Sequence, residues 1–525
     1  MTGIYTPRTK IVCTLGPSTS TDDAIRGLIE AGMNVARVNF SHGTHDQHAA
    51  TIAMVRRLAE EVHKPVAILG DLQGPRIRIG DLAKPRTLKV GEDMVLVHEG
   101  HEKKGEIPVT YDQLANDVRV GDRILVDDGL IELVALEVGN GRVKARVLNG
   151  GELKSHKGMN LPGIQVSAPS ITDKDVADIR FAVEQEVDYL ALSFVRRAED
   201  IESLRKMVPK WLLVVAKIEK DVALQNIEAI VRASDAVMVA RGDLGVELPF
   251  EAVPGAQKRI IRLANKFGRP VITATQMLES MIEHPRPTRA EASDVANAIM
   301  DGTDAVMLSA ETAAGAYPRL AVEAMTRIIK EIETHPPVAP FAGAEQGDGV
   351  GTTEVASAAA TVAAVDMLDA PLVVVFTKSG FSARVVASKR PAVPILALTD
   401  EARTYRQLAL VWGVVPELVP HCADYDEMME RTKSGFSARV VASKRPPVPI
   451  LALTDEERTY RQLALVWGVV PELVPHCADY DEMMEQTKGV VVRRELAANG
   501  DRIIVTAGVP FDLPGTTNLL KVEIV

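Results

Sequence analysis

Two hydrophobic periods alternate over residues 1–335. Short continuous apolar runs, as expected of strands buried on both faces, are followed by stretches with apolar positions every three or four residues, as on one side of a helix. The runs fall at 10–16, 34–40, 65–69, 189–195, 212–218, 236–240, 271–274 and 305–308. After the first run, Ser20 with Asp23 three residues on predicts a helix N-cap, and Gly32 predicts the stop. Residues 46–62 predict the next helix. Eight strand–helix units predict a closed (β/α)8 TIM barrel, with its active site at the strands' C-terminal ends.

The pattern breaks after the third run. Strand-like pieces at 88–90, 94–98, 123–126, 130–138 and 143–148 are divided by turn signals such as Asp128-Gly129 and Gly139-Asn140-Gly141. They predict a small β-barrel lid domain (72–157) inserted into the barrel (1–71 and 158–335). Residues 335–351 turn rich in Pro, Gly and Ala, as a linker does, and 352–525 predict a C-terminal α/β domain with a parallel-rich sheet. That domain holds a tandem repeat. Residues 377–431 recur at 432–486, with differences only at Ala392/Pro447, Ala402/Glu457 and Arg431/Gln486.

Composition narrows the partners. The 525 residues carry a formal net charge of −11 and are 46% hydrophobic, which fits large cores and argues against nucleic acid or an anionic membrane as partner. No run reaches the roughly 18 apolar residues of a membrane span, and the N-terminus lacks the apolar core of a secretory signal. The three cysteines, Cys13, Cys422 and Cys477, show no metal-ligand spacing, so a reducing, cytoplasmic setting is expected.

The ends of the apolar runs are chemically unusual. Lys217 and Glu219 end the fifth run two residues apart, so both side chains project to one face. Standing alone, they are also compatible with a plain strand-end salt bridge. Arg37, Asn39 and Ser41 share a face at the second run, Asp71 ends the third, and Arg241-Gly242-Asp243 ends the sixth. Thr275 ends the seventh and Ser309-Ala310-Glu311 the eighth. Glu219 and Asp243, on adjacent strands, are hard oxygen ligands suited to Mg²⁺. Arg37 offers a planar fork for phosphate or carboxylate. Lys217 suits charge on a transferring phosphoryl group or an enolate, and Gly242 lets backbone N–H groups approach an anion at the start of the next helix. These residues predict Mg²⁺-assisted chemistry on a small phosphorylated or carboxylated substrate.

The stretches Lys10–Ser18, Arg37–Gly43, Gly74–Arg78, Lys157–Gly163, Ala216–Glu219, Ala240–Glu247, Ala274–Met281 and Met307–Thr312 together resemble the pyruvate kinase family, in the family's order. The resemblance implies phosphoryl transfer from phosphoenolpyruvate to ADP, giving pyruvate and ATP. It implies Mg²⁺ or Mn²⁺ at Glu219 and Asp243, with Lys217 stabilising the transition state and the enolate. Gly242, Asp243 and Thr275 would line the phosphoenolpyruvate site, and Arg37 would hold its phosphate. Arg78, Lys157 and His42 would face the nucleotide, while Ser309 and Glu311 support the site from behind. Asn39, Ser41 and Asp71 keep positions of the family's K⁺ site, but Leu72 and Arg76 replace its Thr and Glu, as in K⁺-independent members. The resemblance further implies a homotetramer. It also implies a sugar-phosphate or nucleotide effector held by Thr377, Lys378, Ser379, Gly380 and Ser382. Two other readings compete: a Mg²⁺-dependent enolate-forming lyase or aldolase on the same barrel, and a non-catalytic effector-binding protein.

The first repeat loop follows a strand, whereas the second, 432–437, follows the helix-like 424–431, so the first is expected to be the competent one. The two copies are also expected to compete for one place in the sheet.

Overall fold

In the computed structural model, the described residues are 7–164, 166–334, 353–368, 370, 373–418, 450–454, 469–473, 502–507 and 519–524. The chain divides into two units, one built on residues 9–348 and the other on most of the residues beyond.

The first unit begins with β1 (Lys10–Thr14), β2 (Val35–Asn39) and β3 (Ala67–Asp71). The inserted strands follow: β4 (Arg86–Leu88), β5 (Asp93–His98), β6 (Ile107–Val109), β7 (Arg123–Val126), β8 (Ile131–Gly139), β9 (Arg142–Asn149), β10 (Gly151–Leu153) and β11 (Met159–Asn160). Then come β12 (Tyr189–Leu192), β13 (Leu213–Ile218), β14 (Ala236–Ala240), β15 (Val271–Ala274) and β16 (Ala305–Leu308). β1–β3 and β12–β16 close into one parallel barrel, in the order β1-β16-β15-β14-β13-β12-β3-β2. The expected (β/α)8 barrel is therefore present.

Strand alternation decides what faces the lumen. Val12, Val35, Ala67, Leu69, Tyr189, Ala191, Val215, Ala236, Met238, Ile272, Ala274, Ala305 and Met307 pack together as the inner core. The opposite parity, for example Val214, Ala216 and Ile218 of β13, packs outward with the helices. Continuing the inward parity past each strand's last apolar residue reaches Thr14, Arg37 and Asn39, Asp71, Ser193, Lys217 and Glu219, and Ser309. One rule of period two thus brings the polar residues of six strands to one end of the lumen.

At the other end of β1, Lys10 shares this parity and is 4% exposed. Burial lowers its amine to about 8, against the attraction of Glu333. Below about pH 8 Lys10 is charged in both states, and the folded state carries the full cost of burial. That cost recedes as pH rises from about 8 to the ordinary 10.5, so this group makes stability rise over the window. Lys10→Met is expected to add about 1–3 kcal/mol at pH 7 and to remove that rise. Urea unfolding at pH 7 and pH 9.5 measures both effects, and an unchanged or lowered stability at pH 7 contradicts them.

The insert is mainly β, with one short helix at Leu114–Asp117, and has its own core around Ile79, Leu96, Ile124, Leu133 and Val143. Six strands form a sheet in the order β11-β7-β8-β9-β5-β6, flanked by the β10-β4 pair. Its two edges meet across one segment. Arg78 bridges Gly158 beside β11, and Ile79 bridges Val109 in β6. Ile79 N–H donates to Lys157 O at 2.9 Å, and Thr110 N–H donates to Arg78 O at 3.0 Å. The seam that closes the lid therefore carries Arg78 and lies against Lys157.

Two local expectations change. The first helix, Asp22–Ala31, is capped by Thr21, whose Oγ1 accepts from Ala24 N–H. The Ser20 hydroxyl donates instead to Pro17 O at 3.1 Å, so it is not available as the cap. The fourth barrel strand stops at Leu192 rather than Val195, because Phe194 takes a left-handed φ of +55° and turns the chain out of the sheet.

In the second unit, β17 (Val373–Phe376), β18 (Ile395–Thr399) and β19 (Val414–Leu418) form a parallel sheet. β20 (Ile450–Thr454) and β21 (Val469–Leu473) pair in parallel, while β22 (Arg502–Ala507) and β23 (Leu519–Ile524) pair antiparallel. The second repeat reproduces the register of the first: Ile395 opposes Val414, and Ile450 opposes Val469. Among the described residues the copies do not share a sheet. The linker 335–351, the helix-like 424–431, the second loop 432–437, Cys422 and Cys477 lie outside the described residues.

Candidate active site

Lys217 is the hub of the lumen's polar end. Its Nζ donates to Ser193 Oγ at 2.7 Å and lies 3.0 Å from Glu219 Oε1 and 3.2 Å from Asp71 Oδ1. The strand-end salt bridge is therefore present, as one edge of a larger network. Arg37 Nε donates to Asp71 Oδ2 at 2.7 Å, its Nη2 lies 2.6 Å from the same oxygen, and its Nη1 donates to Thr14 Oγ1 at 2.9 Å. Of the guanidinium's five N–H donors, two remain for an anion.

Electrostatics favour the charged forms of Lys217 and Asp71 but not of Glu219. Burial opposes the Lys217 ammonium, but Asp71 and Glu219 outweigh it and raise its pKa. Burial alone would raise Asp71, yet Lys217 and Arg37 hold its carboxyl below the usual range. For Glu219, burial pushes the carboxyl up, Lys217 pulls it down and the Asp243 carboxylate pushes it up again, leaving it raised. Glu219 Oε2 also accepts Phe194 N–H at 2.6 Å. A cation between Glu219 and Asp243 would relieve both the burial and the repulsion. Among the described residues no group of three or more His, Cys, Asp or Glu could hold a metal alone. The pair thus fits an ion such as Mg²⁺ that completes its shell with substrate and water oxygens.

A cavity of about 240 Å³ opens on this network, with Arg37, Lys217, Glu219, Asp243, Thr275 and Ser309 among its walls. Thr275 sits at φ +68° and Gln276 at φ +53°, an uncommon conformation for residues with side chains. The buried Arg241 guanidinium holds that turn by donating to Thr275 O at 2.7 Å, and it is itself held by Asp294. Gly242 N–H donates to Thr275 Oγ1 at 2.7 Å, so it is already engaged rather than open to an anion. Behind the wall, Glu311 accepts N–H groups from Leu278 and Ser309 at 3.1 and 2.7 Å, and burial raises its carboxyl. The Ser309 hydroxyl is buried and has no hydrogen-bond partner among the described residues.

Not every expected residue lines this cavity. Asn39, Ser41 and Arg76 do, whereas Asp71 lies behind, paired with Arg37 and Lys217. The Leu72 side chain is buried in the outer core and offers no ligand, and its carbonyl accepts from Ser193 Oγ at 2.7 Å. Arg78 and Lys157 sit on the lid: Arg78 Nη1 donates to His156 O at 3.0 Å, and Lys157 Nζ lies 2.8 Å from Asp127 Oδ1. His42 is exposed in the turn after β2. A second cleft of about 40 Å³ runs between lid and barrel, past Asn160, Phe194, Lys220 and Asp243. In the other unit the loop 377–382 follows β17. Gly380 has φ +75°, and Thr404 Oγ1 donates to Lys378 O at 2.7 Å.

Sequence reasoning missed Thr14, Ser193 and Phe194, and placed Arg241 at a strand end without giving it a role. The signal for Ser193 was the inward parity of Tyr189 and Ala191, hidden by extending the strand to Val195. Nothing in the local pattern marks Arg241 as a buried brace.

Fold and site together define a (β/α)8-barrel enzyme whose mouth carries Arg37, Arg76 and Lys217 beside a β lid. The family description "Pyruvate kinase, barrel domain" matches residues 6–322, and "Pyruvate kinase, alpha/beta domain" matches 355–432 and again 431–523. A pyruvate kinase of Geobacillus stearothermophilus is 42% identical over 529 residues, covering 99% of this chain and 80% of that one. One from Staphylococcus epidermidis is 40% identical over 528 residues, with the same coverage. The crystal structure of a pyruvate kinase from Cryptosporidium parvum superposes with a TM-score of 0.78 at 32% identity, covering 99% of this chain and 96% of that one. The chain belongs to the pyruvate kinase family. It is a phosphotransferase that moves the phosphoryl group of phosphoenolpyruvate to ADP, giving pyruvate and ATP.

Proposed function

We propose that the 240 Å³ cavity is where this transfer occurs, assisted by Mg²⁺ or Mn²⁺ at Glu219 and Asp243. The observation that carries the reading is the inward Lys217 ammonium, held charged beside Glu219 and facing the same space as Arg37. Arg37 binds the phosphate of phosphoenolpyruvate with its two remaining donors. The bond from phosphorus to the enol oxygen breaks as a bond to the terminal phosphate oxygen of ADP forms. Lys217 stabilises the charge on the moving group and then on the enolate, whose carbon takes a proton near Thr275. Bound metal would supply a divalent charge that offsets the phosphate oxygens. Arg78, Lys157 and His42 face the nucleotide, and the lid shuts water out. The catalytic barrel is 1–71 with 158–335, the lid 72–157 and the effector domain 352–525, except that β11 (Met159–Asn160) pairs with β7 and so belongs to the lid.

The assay is ATP and pyruvate formation with and without divalent metal. Activity that survives chelation, or a metal-free chain that Mn²⁺ does not restore, contradicts the metal assignment. A metal-dependent lyase or aldolase would release product without ADP, and a non-catalytic effector-binding chain would form none.

The same site needs no K⁺. The Leu72 side chain offers no oxygen and its carbonyl already accepts from Ser193 Oγ, the Asp71 carboxylate is paired with Arg37 and Lys217, and Arg76 lines the cavity beside Asn39 and Ser41. Full turnover is expected with Mg²⁺ in buffer free of Na⁺ and K⁺. Near-zero turnover there, rescued by KCl, sinks the idea.

The loop Thr377, Lys378, Ser379, Gly380 and Ser382 binds a sugar-phosphate or nucleotide effector, in a cytoplasmic homotetramer. Its Lys378 and Ser382 are exposed, and Gly380 opens a helix at Phe381–Ser388. An effector that lowers half-saturating phosphoenolpyruvate in the native chain is expected to fail with Lys378→Ala. An equal response in both contradicts this assignment, and sedimentation checks the tetramer.

A further inference from the structure

The helix Arg241–Glu247 carries Asp243 near its start and Glu247 at its end, four residues apart and therefore on one side. Glu247 touches nothing in the 240 Å³ cavity, and the mechanism above leaves it unused. It is nonetheless a buried carboxylate with a particular set of partners. Lys220, the residue after Glu219, forms an ion pair with Oε1. Asn160 Nδ2, from lid strand β11, donates to the same oxygen at 3.2 Å. The other oxygen, Oε2, is buried without a hydrogen-bond partner among the described residues. A second lid residue approaches the same helix end, since a Cβ at Gly129 would lie 3.9 Å from Val246 Cγ1. The Lys220 ammonium also stands 5.7 Å from the centre of the Phe194 ring, and Phe194 N–H holds Glu219.

A buried ion pair with one bare oxygen is a poor device for stability, because apolar groups of that volume would serve as well or better. Its position is more informative. One oxygen joins three pieces of chain: the lid, the helix of Asp243 and the segment of Glu219. We propose that Glu247 is a positioning residue that latches the lid to the helix of Asp243, so that lid placement and placement of the metal-binding carboxylates are coupled. The inference rests on the reading of Glu219 and Asp243 as metal ligands and of the insert as a lid. Lys220 keeps Glu247 aimed, and Asn160 is the lid's half of the latch.

The test is a cycle of Asn160→Leu, Glu247→Gln and the double variant, in the full chain, with Asp243→Asn alongside. Asn160→Leu keeps size and removes the donor. It is expected to raise KM for ADP by about tenfold, with kcat and KM for phosphoenolpyruvate moving less than about twofold. Glu247→Gln is expected to raise KM for ADP likewise and also to raise the Mg²⁺ concentration for half activation. The double variant should match Glu247→Gln rather than multiply the two effects. Asn160→Gln, which restores the donor on a longer arm, should recover part of the loss. A readout independent of turnover is amide exchange without metal or substrate. Asn160→Leu should speed exchange in both 158–164 and 244–248, although only the first segment is substituted. Multiplying effects, equal shifts in both substrates, or faster exchange confined to 158–164 would overturn the latch. Should Asn160→Leu and Glu247→Gln behave as wild type while Asp243→Asn is inactive, the latch fails and the metal-site reading stands. An active Asp243→Asn removes the reading beneath it.

Discussion

Lys217→Met is expected to lower kcat by roughly 10²–10³-fold, the usual cost of removing one preorganised charge stabiliser from a transition state. Methionine keeps the length and apolar stem but has no charge to set against the phosphoryl oxygens or the enolate. The substitution also disturbs the resting network. Asp71 retains Arg37, but Glu219 loses the cation 3.0 Å away and keeps only Phe194 N–H, with Asp243 still repelling it. Breaking a buried ion pair costs about 3–5 kcal/mol when the remaining charge stays ionised. Glu219 is already raised, so in the variant it takes up a proton more readily, and the loss should fall short of that range. Stability of Lys217→Met should therefore improve relative to wild type as pH falls, because protonated Glu219 needs no partner. Single-turnover kinetics and urea unfolding at pH 5.5 and pH 8 measure the two effects separately. A variant within about fivefold of wild-type kcat would mean that another group stabilises the transferring charge.

How far the sequence reveals this site follows from alternation. A strand buried on both faces announces itself by apolar content, and its inward positions are known to within one residue of phase. Lys217, Glu219, Asp71 and Arg37 were legible because each breaks an apolar run at the inward parity. Ser193 was not, because a run drawn to Val195 made it look like strand interior; the left-handed Phe194 that ends the strand has no compositional mark. The lid's closure was likewise hidden. Arg78 and Ile79 make isolated bridges rather than a strand, so their seam lies below the reach of periodicity. The engagement of Gly242 N–H by Thr275 depends on the positive φ of Thr275, which tertiary contacts with Arg241 impose. Local preference predicts which residues arrive at the rim. It does not predict which of them occupy one another's donors.

The repeat marks a different limit, because identical segments have identical local preferences. Both copies form a parallel pair in the same register, Ile395 with Val414 and Ile450 with Val469. Only β18·β19 also has β17 as a neighbour; β20·β21 is a two-stranded sheet among the described residues. Two strands alone are marginal in water, and the edges of such a pair invite pairing with other chains. β17 meets β18 through Val373 opposite Ile395 and Phe376 opposite Leu398, and the second copy presents the same residues, Ile450 and Leu453, at the same spacing. Deleting 432–486 and deleting 377–431 leave chains that differ only at the three unmatched positions, and both are expected to form the β17-centred sheet. Each should keep kcat for phosphoryl transfer within about twofold of the full chain, since no cavity residue lies beyond Ser309. Each should also unfold more cooperatively and aggregate less on heating, because the surplus pair and its edges are gone. Calorimetry and light scattering on the three chains decide the matter. If only the chain retaining 377–431 folds, Pro447, Glu457 or Gln486 makes the second copy incompetent. If both deletions aggregate more than the full chain, the second pair contributes to the native sheet arrangement, and the frustration argument fails.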